Sequence, residues 1–202
     1  EFTMLEFYES YSDLSDMIVH TESIMKQIAK IIGKDIFVFN GNKIDLSQKF
    51  KVISMKDLFI NYMGINPIEV SDIDLKKICS KHNVDYKKYP HRGKVIEKIF
   101  SQIVEPKLIQ PTFVIDYPVE ISPLARYKRD DNNNNQYVER FELFISGVEI
   151  ANSFSELNDS FEQKERLLKQ QGLIKKGDDE AQVLDEDFLQ VLETGMPPTG
   201  GV

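Results

Sequence analysis

Glu142, Glu149 and Glu156 recur seven residues apart in the stretch FELFISGVEIANSFSELND (141–159), whose alternation otherwise reads as a β-hairpin. Phe141, Phe144, Ile145, Ile150 and Phe154 stand between them. Burying an ionised carboxylate costs on the order of several kcal/mol unless it is paired, so the pattern anticipates a cationic partner. With Ser146-Gly147 as a two-residue turn, Ile145 opposes Val148, Phe144 opposes Glu149 and Glu142 opposes Ala151. Parity then puts Glu142, Phe144, Glu149 and Ala151 on one face. Glu142 and Glu149 become diagonal neighbours at roughly 6–8 Å. Two carboxylates without His or Cys suit a hard divalent cation such as Mg²⁺, Mn²⁺ or Ca²⁺, and Mg²⁺ would complete its shell with water and phosphate. A solvated sheet face is the alternative that this pattern leaves open. Asn152, Phe154 and Glu156 share one parity, but Glu149 and Asn152 do not. For all of them to line one pocket, a β-bulge must lie between 149 and 152, in the Ile-Ala-Asn step.

Other chemistries find little support. The chain has no G-x-G-x-x-G or G-x-x-x-x-G-K-[ST] motif. His20, His82 and His91 lack zinc spacing, and Cys79, the only cysteine, has no partner for a disulfide. Cys79 and His82 lie three apart, with nothing to orient the imidazole as a base. A net charge of −8 argues against a broad nucleic-acid-binding face on these 202 residues. No apolar run approaches the roughly 20 residues of a membrane span, and the opening EFTMLEFY lacks the basic start of a signal peptide. The start at Glu1 and the end at GMPPTGGV read as the two cut ends of an internal fragment.

The elements that must position the glutamates follow from periodicity. FTMLEFYESY (2–11) reads as a strand with Phe2, Met4, Glu6 and Tyr8 on one face. Ser12 or Ser15 would cap a helix running to Ile32, which Gly33 stops. IFVFNGNKIDL is a hairpin around Asn40-Gly41. Ser54 opens another helix, with Asp57 at its third position. The polar segment at about 64–92 reads as a peripheral insertion with short helices. Residues 93–109 form an amphipathic helix that Pro106 ends or kinks, and PTFVIDYPVEIS follows as a strand. DDNNNN (130–135) is a solvated loop tip. Two further helices, 160–171 and one stopped by Gly195, complete the chain. Pairing by hairpins rather than crossovers favours an antiparallel sheet with flanking helices, the α+β class.

EFTMLEFYESYSD resembles the second half of motif 2 in class II aminoacyl-tRNA synthetases. LIQPTFVIDYPVEISPLAR, ERFELFISGVEIANSFSELND and GDDEAQVLDEDFLQVLETGMPPTGG, in this order and spacing, resemble the lysyl-tRNA synthetase family in particular. The resemblance covers nearly the whole chain and thins across 64–92. It implies the class II catalytic-domain fold, with this chain running from the end of motif 2 to just before motif 3. The implied reaction joins L-lysine to ATP as lysyl-adenylate, then passes the lysyl group to tRNA(Lys). Glu142 and Glu149 match the glutamates that hold Mg²⁺ against the ATP phosphates, and Phe2 matches the aromatic that stacks on adenine. Glu142 and Asn152 also belong to the implied ATP site. Glu6, Tyr8, Asn152, Phe154 and Glu156 match positions lining the amino-acid pocket, with Glu156 and Glu6 facing ammonium groups. Phe7, Leu143 and Ile150 read as plain core. The motif 2 and motif 3 arginines would lie outside the chain, so the fragment alone is expected to be inactive. The resemblance further implies a cytoplasmic enzyme that is a homodimer at full length. A protein-lysylating paralogue and a catalytically inactive binding module are the alternative functions.

Overall fold

The computed structural model describes residues 3–129, 135–175, 177–178 and 181–202. Phe2 and most of the Asn-rich tract, 130–134, lie outside the described residues. Strand β1 (Tyr8–Ser10) leads into α1 (Leu14–Ile32), then a small hairpin, β2 (Ile36–Phe39) and β3 (Asn42–Asp45). Next come β4 (Lys51–Ser54), α2 (Met55–Met63), α3 (Asp72–Lys81), α4 (Arg92–Ile103) and β5 (Thr112–Pro118). The long hairpin β6 (Tyr137–Ile145) and β7 (Val148–Ser155) precedes α5 (Ser160–Ile174), α6 (Glu186–Thr194) and β8 (Thr199–Gly201).

Six strands form one sheet in the order β1-β8-β7-β6-β5-β4. Every neighbouring pair is antiparallel except β4 and β5, which run parallel. The expectation of hairpins alone therefore needs correcting, because α2, α3 and α4 make a crossover between these two strands. The α+β character stands.

Helix α1 is capped by Asp13, not by Ser12 or Ser15: Ser15 N donates to Asp13 Oδ1 at 2.8 Å, and Asp13 N to Asp16 Oδ2 at 3.0 Å. A carboxylate caps as well as a hydroxyl and also favours the positive helix end. The expected stop is seen, with Gly33 at φ 75°. Ser54 caps α2 by accepting from Asp57 N, and Gly195 ends α6. The expected strand over 2–11 contracts to Tyr8–Ser10. Pairing with the short β8 ends in a reciprocal pair of backbone bonds between Phe7 and Val202.

Helices cover the sheet on both faces. Phe113, Phe141, Leu143 and Ile145 meet α1 and the β2–β3 hairpin on one side. Val114, Tyr117 and Phe144 meet α2, α3 and α4 on the other. Within 64–92, Leu75, Cys79 and Val84 insert into this second core. Burial raises the pKa of the Cys79 thiol, as expected of an inert packing residue.

Candidate functional site

The β6–β7 hairpin turns at Ser146-Gly147, both left-handed at φ 55° and 72°. This is the conformation that a two-residue hairpin requires. Ser146 has its unusual backbone held from outside: its Oγ accepts from Asn42 Nδ2 at 2.8 Å and donates to the Phe39 carbonyl at 3.1 Å. Beyond the turn Ile145 opposes Val148 and Phe144 opposes Glu149, as the sequence implies. Leu143 then opposes Ala151, and Glu142 opposes Asn152 rather than Ala151. Ile150 is the extra residue of a bulge lying inside the expected interval.

That bulge restores parity. Arg140, Glu142, Asn152, Phe154 and Glu156 share one face, while Phe141, Leu143 and Ser153 point to α1. It also corrects the assignment of Ile150 to the core, since the bulged side chain is 42% exposed, whereas Leu143 is fully buried. Along the α4-facing side, the apolar core of Phe144 and Val114 gives way at Glu142 to charged groups.

Glu142 is buried at 8% exposure and engaged on both oxygens. Tyr117 Oη donates to Oε2 at 2.8 Å, and Arg140 Nη2 to Oε1 at 2.5 Å. The cation expected to meet the glutamates is thus partly supplied by the chain. The signal for Arg140 was present, because it precedes Glu142 by two residues and so shares its face. Glu149 lies beside this pair on a cavity of about 270 Å³, with Glu97, Glu105, Lys94, Lys98 and Ser101. Glu149 is exposed at its rim. Its pKa is nonetheless pushed up to about 7, first because the surrounding cavity walls take water from the carboxylate and then by the Glu142 charge. Glu105 is likewise pushed up to about 7, by burial and then by Glu142, Glu149 and Glu97. Neither Glu97 nor Glu105 stood out in the sequence. They arrive on α4 and the turn after it, brought close because Gly147 lets the hairpin tip approach the backbone of Glu105 and Pro106.

Among the described residues no three His, Cys, Asp or Glu side chains are grouped tightly enough to enclose a metal ion. A pair of carboxylates fits an ion that draws its remaining ligands from water and phosphate. Glu149, with its raised pKa, is a carboxylate whose charge such an ion would stabilise.

The second half of the site lies across β7, β8 and β1. Tyr8 and Phe154 both pair with Gly201 from opposite sides, so their rings share one row. Tyr8 Oη donates to Glu6 Oε1. This bond, reinforced by burial and by the charges of Glu6 and Glu156, pushes the phenol pKa up to about 12. Glu156, half-buried, is pushed up to about 7 by burial and then by Glu6. A cavity of about 210 Å³ runs along Asn152, Phe154 and Arg140 toward His91 and Asp178. Asn152 Oδ1 accepts from Arg140 Nε at 3.2 Å, which links the two halves. Every sequence-derived site residue within the described part of the chain thus falls on one contiguous face.

Comparison with known proteins accords with this arrangement. A family profile described as tRNA synthetases class II (D, K and N) matches residues 1–202. Lysine–tRNA ligases are similar over the whole chain. The one from Thermoanaerobacter sp. (strain X514) is 47% identical, with 40% of its length covered, and that from Prochlorococcus marinus (strain MIT 9301) is 49% identical, again with 40% covered. The Fervidobacterium nodosum enzyme is 42% identical, with 39% covered. The chain therefore spans about 40% of the length of the curated relatives it matches. With the profile matched from end to end and a mostly antiparallel sheet carrying the acidic face, the chain belongs to the class II tRNA synthetases of the D, K and N group.

Proposed function

We propose that this chain is part of the catalytic domain of a synthetase that activates L-lysine with ATP and transfers it to tRNA(Lys). In this reading residues 64–92 are an insertion tied to the domain through Leu75 and Cys79. The observation that carries it is the single face on which Glu142 and Glu149 adjoin a row of Glu156, Glu6, Tyr8 and Phe154.

The lysine carboxylate is already a nucleophile and attacks the α-phosphate of ATP, with pyrophosphate leaving. No protein base is needed, so the residues act by positioning and charge. Glu142 and Glu149 would hold Mg²⁺, whose contribution when bound is to neutralise phosphate charge. Arg140 and Tyr117 fix the Glu142 carboxylate. Asn152 lies where the two substrates would meet, and Phe2 would stack on adenine.

Recognition of a diamino acid follows from the carboxylates of the other half, which in this reading meet ammonium groups directly rather than through a metal ion. An unpaired buried ammonium costs on the order of several kcal/mol, so the end of the pocket must carry a carboxylate. Glu156 and Glu6 supply carboxylates, and the faces of Tyr8 and Phe154 supply a sleeve that tolerates a nearby cation. The homodimer and the cytoplasmic setting are proposed from the family resemblance alone. No helix among the described residues is long and apolar enough to cross a membrane.

The test is discrimination between lysine and norleucine, which keeps the chain length but lacks the ε-ammonium. In the full-length protein Glu156→Gln is expected to narrow the lysine preference by about 10²-fold or more in kcat/KM. Discrimination left intact by that substitution would refute the assignment.

A further inference from the structure

The row that carries Tyr8 and Phe154 is joined through a residue with no side chain. Gly201 sits in β8 between them, paired with Tyr8 on one side and Phe154 on the other. Its φ lies outside the left-handed region, so the backbone there does not call for glycine. The space does. A Cβ at Gly201 would lie 2.6 Å from Glu156 Oε1 and 2.7 Å from Tyr8 Cδ1 and Cε1, closer than such atoms approach. Glu156 and the Tyr8 ring thus occupy the volume in which any other residue would begin its side chain. The preceding Gly200 faces the other way, where a Cβ would meet Met17 Cγ at 2.8 Å and the Asp13 carbonyl at 3.2 Å. Adjacent glycines therefore serve opposite faces, one packing α1 and the other underlying Glu156 and the Tyr8 ring.

We propose that Gly201 is a specificity-determining position: its missing side chain sets how deep the Glu156 carboxylate and the Tyr8 ring lie, and hence the length of amino acid accepted. The inference rests on the reading of this row as the amino-acid pocket. A methyl group at 201 raises the floor. The Glu156 carboxylate is the far end of a flexible side chain, so the strand accommodates the change while the pocket becomes shallower. Lysine then fits less well, whereas ornithine, one methylene shorter, reaches its carboxylate better.

The experiment uses the full-length protein with Gly201→Ala, Gly200→Ala, Glu156→Gln and Glu156→Asp, and measures ATP–pyrophosphate exchange with lysine, ornithine, homolysine and norleucine. Gly201→Ala is expected to lower the lysine-to-ornithine ratio of kcat/KM by about tenfold or more, the scale of one methylene. The effect should fall on KM for the amino acid and leave KM for ATP unchanged. Gly200→Ala is expected to lower the melting temperature and leave the ratio unchanged. Glu156→Asp approaches the same depth from the other side and needs no new Cβ: the lengthened pocket should shift preference from lysine toward homolysine. The inference is overturned if Gly201→Ala leaves the ratio unchanged, if Gly200→Ala moves it equally, or if Glu156→Asp brings no gain for homolysine. When Glu156→Gln abolishes the norleucine discrimination and Gly201→Ala leaves the ratio alone, only Gly201 is at fault. When Glu156→Gln changes nothing, the pocket reading itself falls.

Discussion

Replacing Arg140 by Met removes the one cation bonded to the buried Glu142 among the described residues. In the folded chain Arg140 also donates from Nη1 to the Ile121 carbonyl at 2.8 Å and to Ser122 Oγ at 3.0 Å, and its guanidinium lies 4.7 Å from the centroid of the Tyr117 ring. After substitution Glu142 keeps the Tyr117 hydroxyl and loses its counter-charge. Removing one partner of a buried pair costs about 3–5 kcal/mol. The two side chains retain 15% and 11% exposure, so some solvation survives and the lower end, about 3 kcal/mol, applies. With a urea slope of about 2 kcal/mol/M, the unfolding midpoint should fall by about 1.5 M. The double variant Arg140→Met with Glu142→Gln removes the stranded charge, so it should recover much of the loss, with a coupling of about 2 kcal/mol. Urea titrations of the four proteins at pH 8 without divalent cations make the comparison. A midpoint shift below about 0.3 M for Arg140→Met, or strict additivity in the double variant, would refute the argument.

Other expectations concern the same face. Glu149→Gln in the full-length protein should slow single-turnover adenylate formation by about 10²-fold while changing lysine affinity little by calorimetry, because on the proposed reading it removes the charge that would hold a cation against the phosphates; equal losses in both would make Glu149 structural. Glu105, Glu149 and Glu156 have pKa values raised from 4.5 to about 7, so the folded state holds protons that the unfolded state has released. Their contribution to stability must fall as pH rises from about 4.5 to about 7, and the urea midpoint should be higher at pH 5 than at pH 8; the reverse order would contradict the shifts. Ile150→Ala, at an exposed bulge, should cost less than about 1 kcal/mol, whereas Leu143→Ala should cost about 3–5 kcal/mol, both measured by chemical denaturation.

Several features were legible in the sequence because their causes are local. The turns at Asn40-Gly41 and Ser146-Gly147, the Ser54 cap and the Gly33 and Gly195 stops depend only on residues a few positions away. The bulge was legible for a related reason: strand parity between Glu149 and Asn152 cannot otherwise be reconciled, although which residue is extruded was not readable. The positions expected to line an amino-acid pocket and to carry metal-binding carboxylates came from the family resemblance, and the fold gathers the described ones onto one face. What remained hidden depends on partners distant in the chain. β4 is four residues long, and its partner β5 begins only after three intervening helices, so no local pattern signals the parallel pair. Glu97 and Glu105 gain meaning only when α4 packs over the hairpin, and the opposite burial of Glu142 and Glu149 follows from what covers each end of the strands. Gly201 acquires a role only once β1, β7 and β8 align and Glu156 fills the space above it. Residue type and spacing determined which groups could act. The sheet's long-range pairing decided which of them are desolvated, which meet, and how much room lies between them, because those quantities depend on atoms far away in sequence.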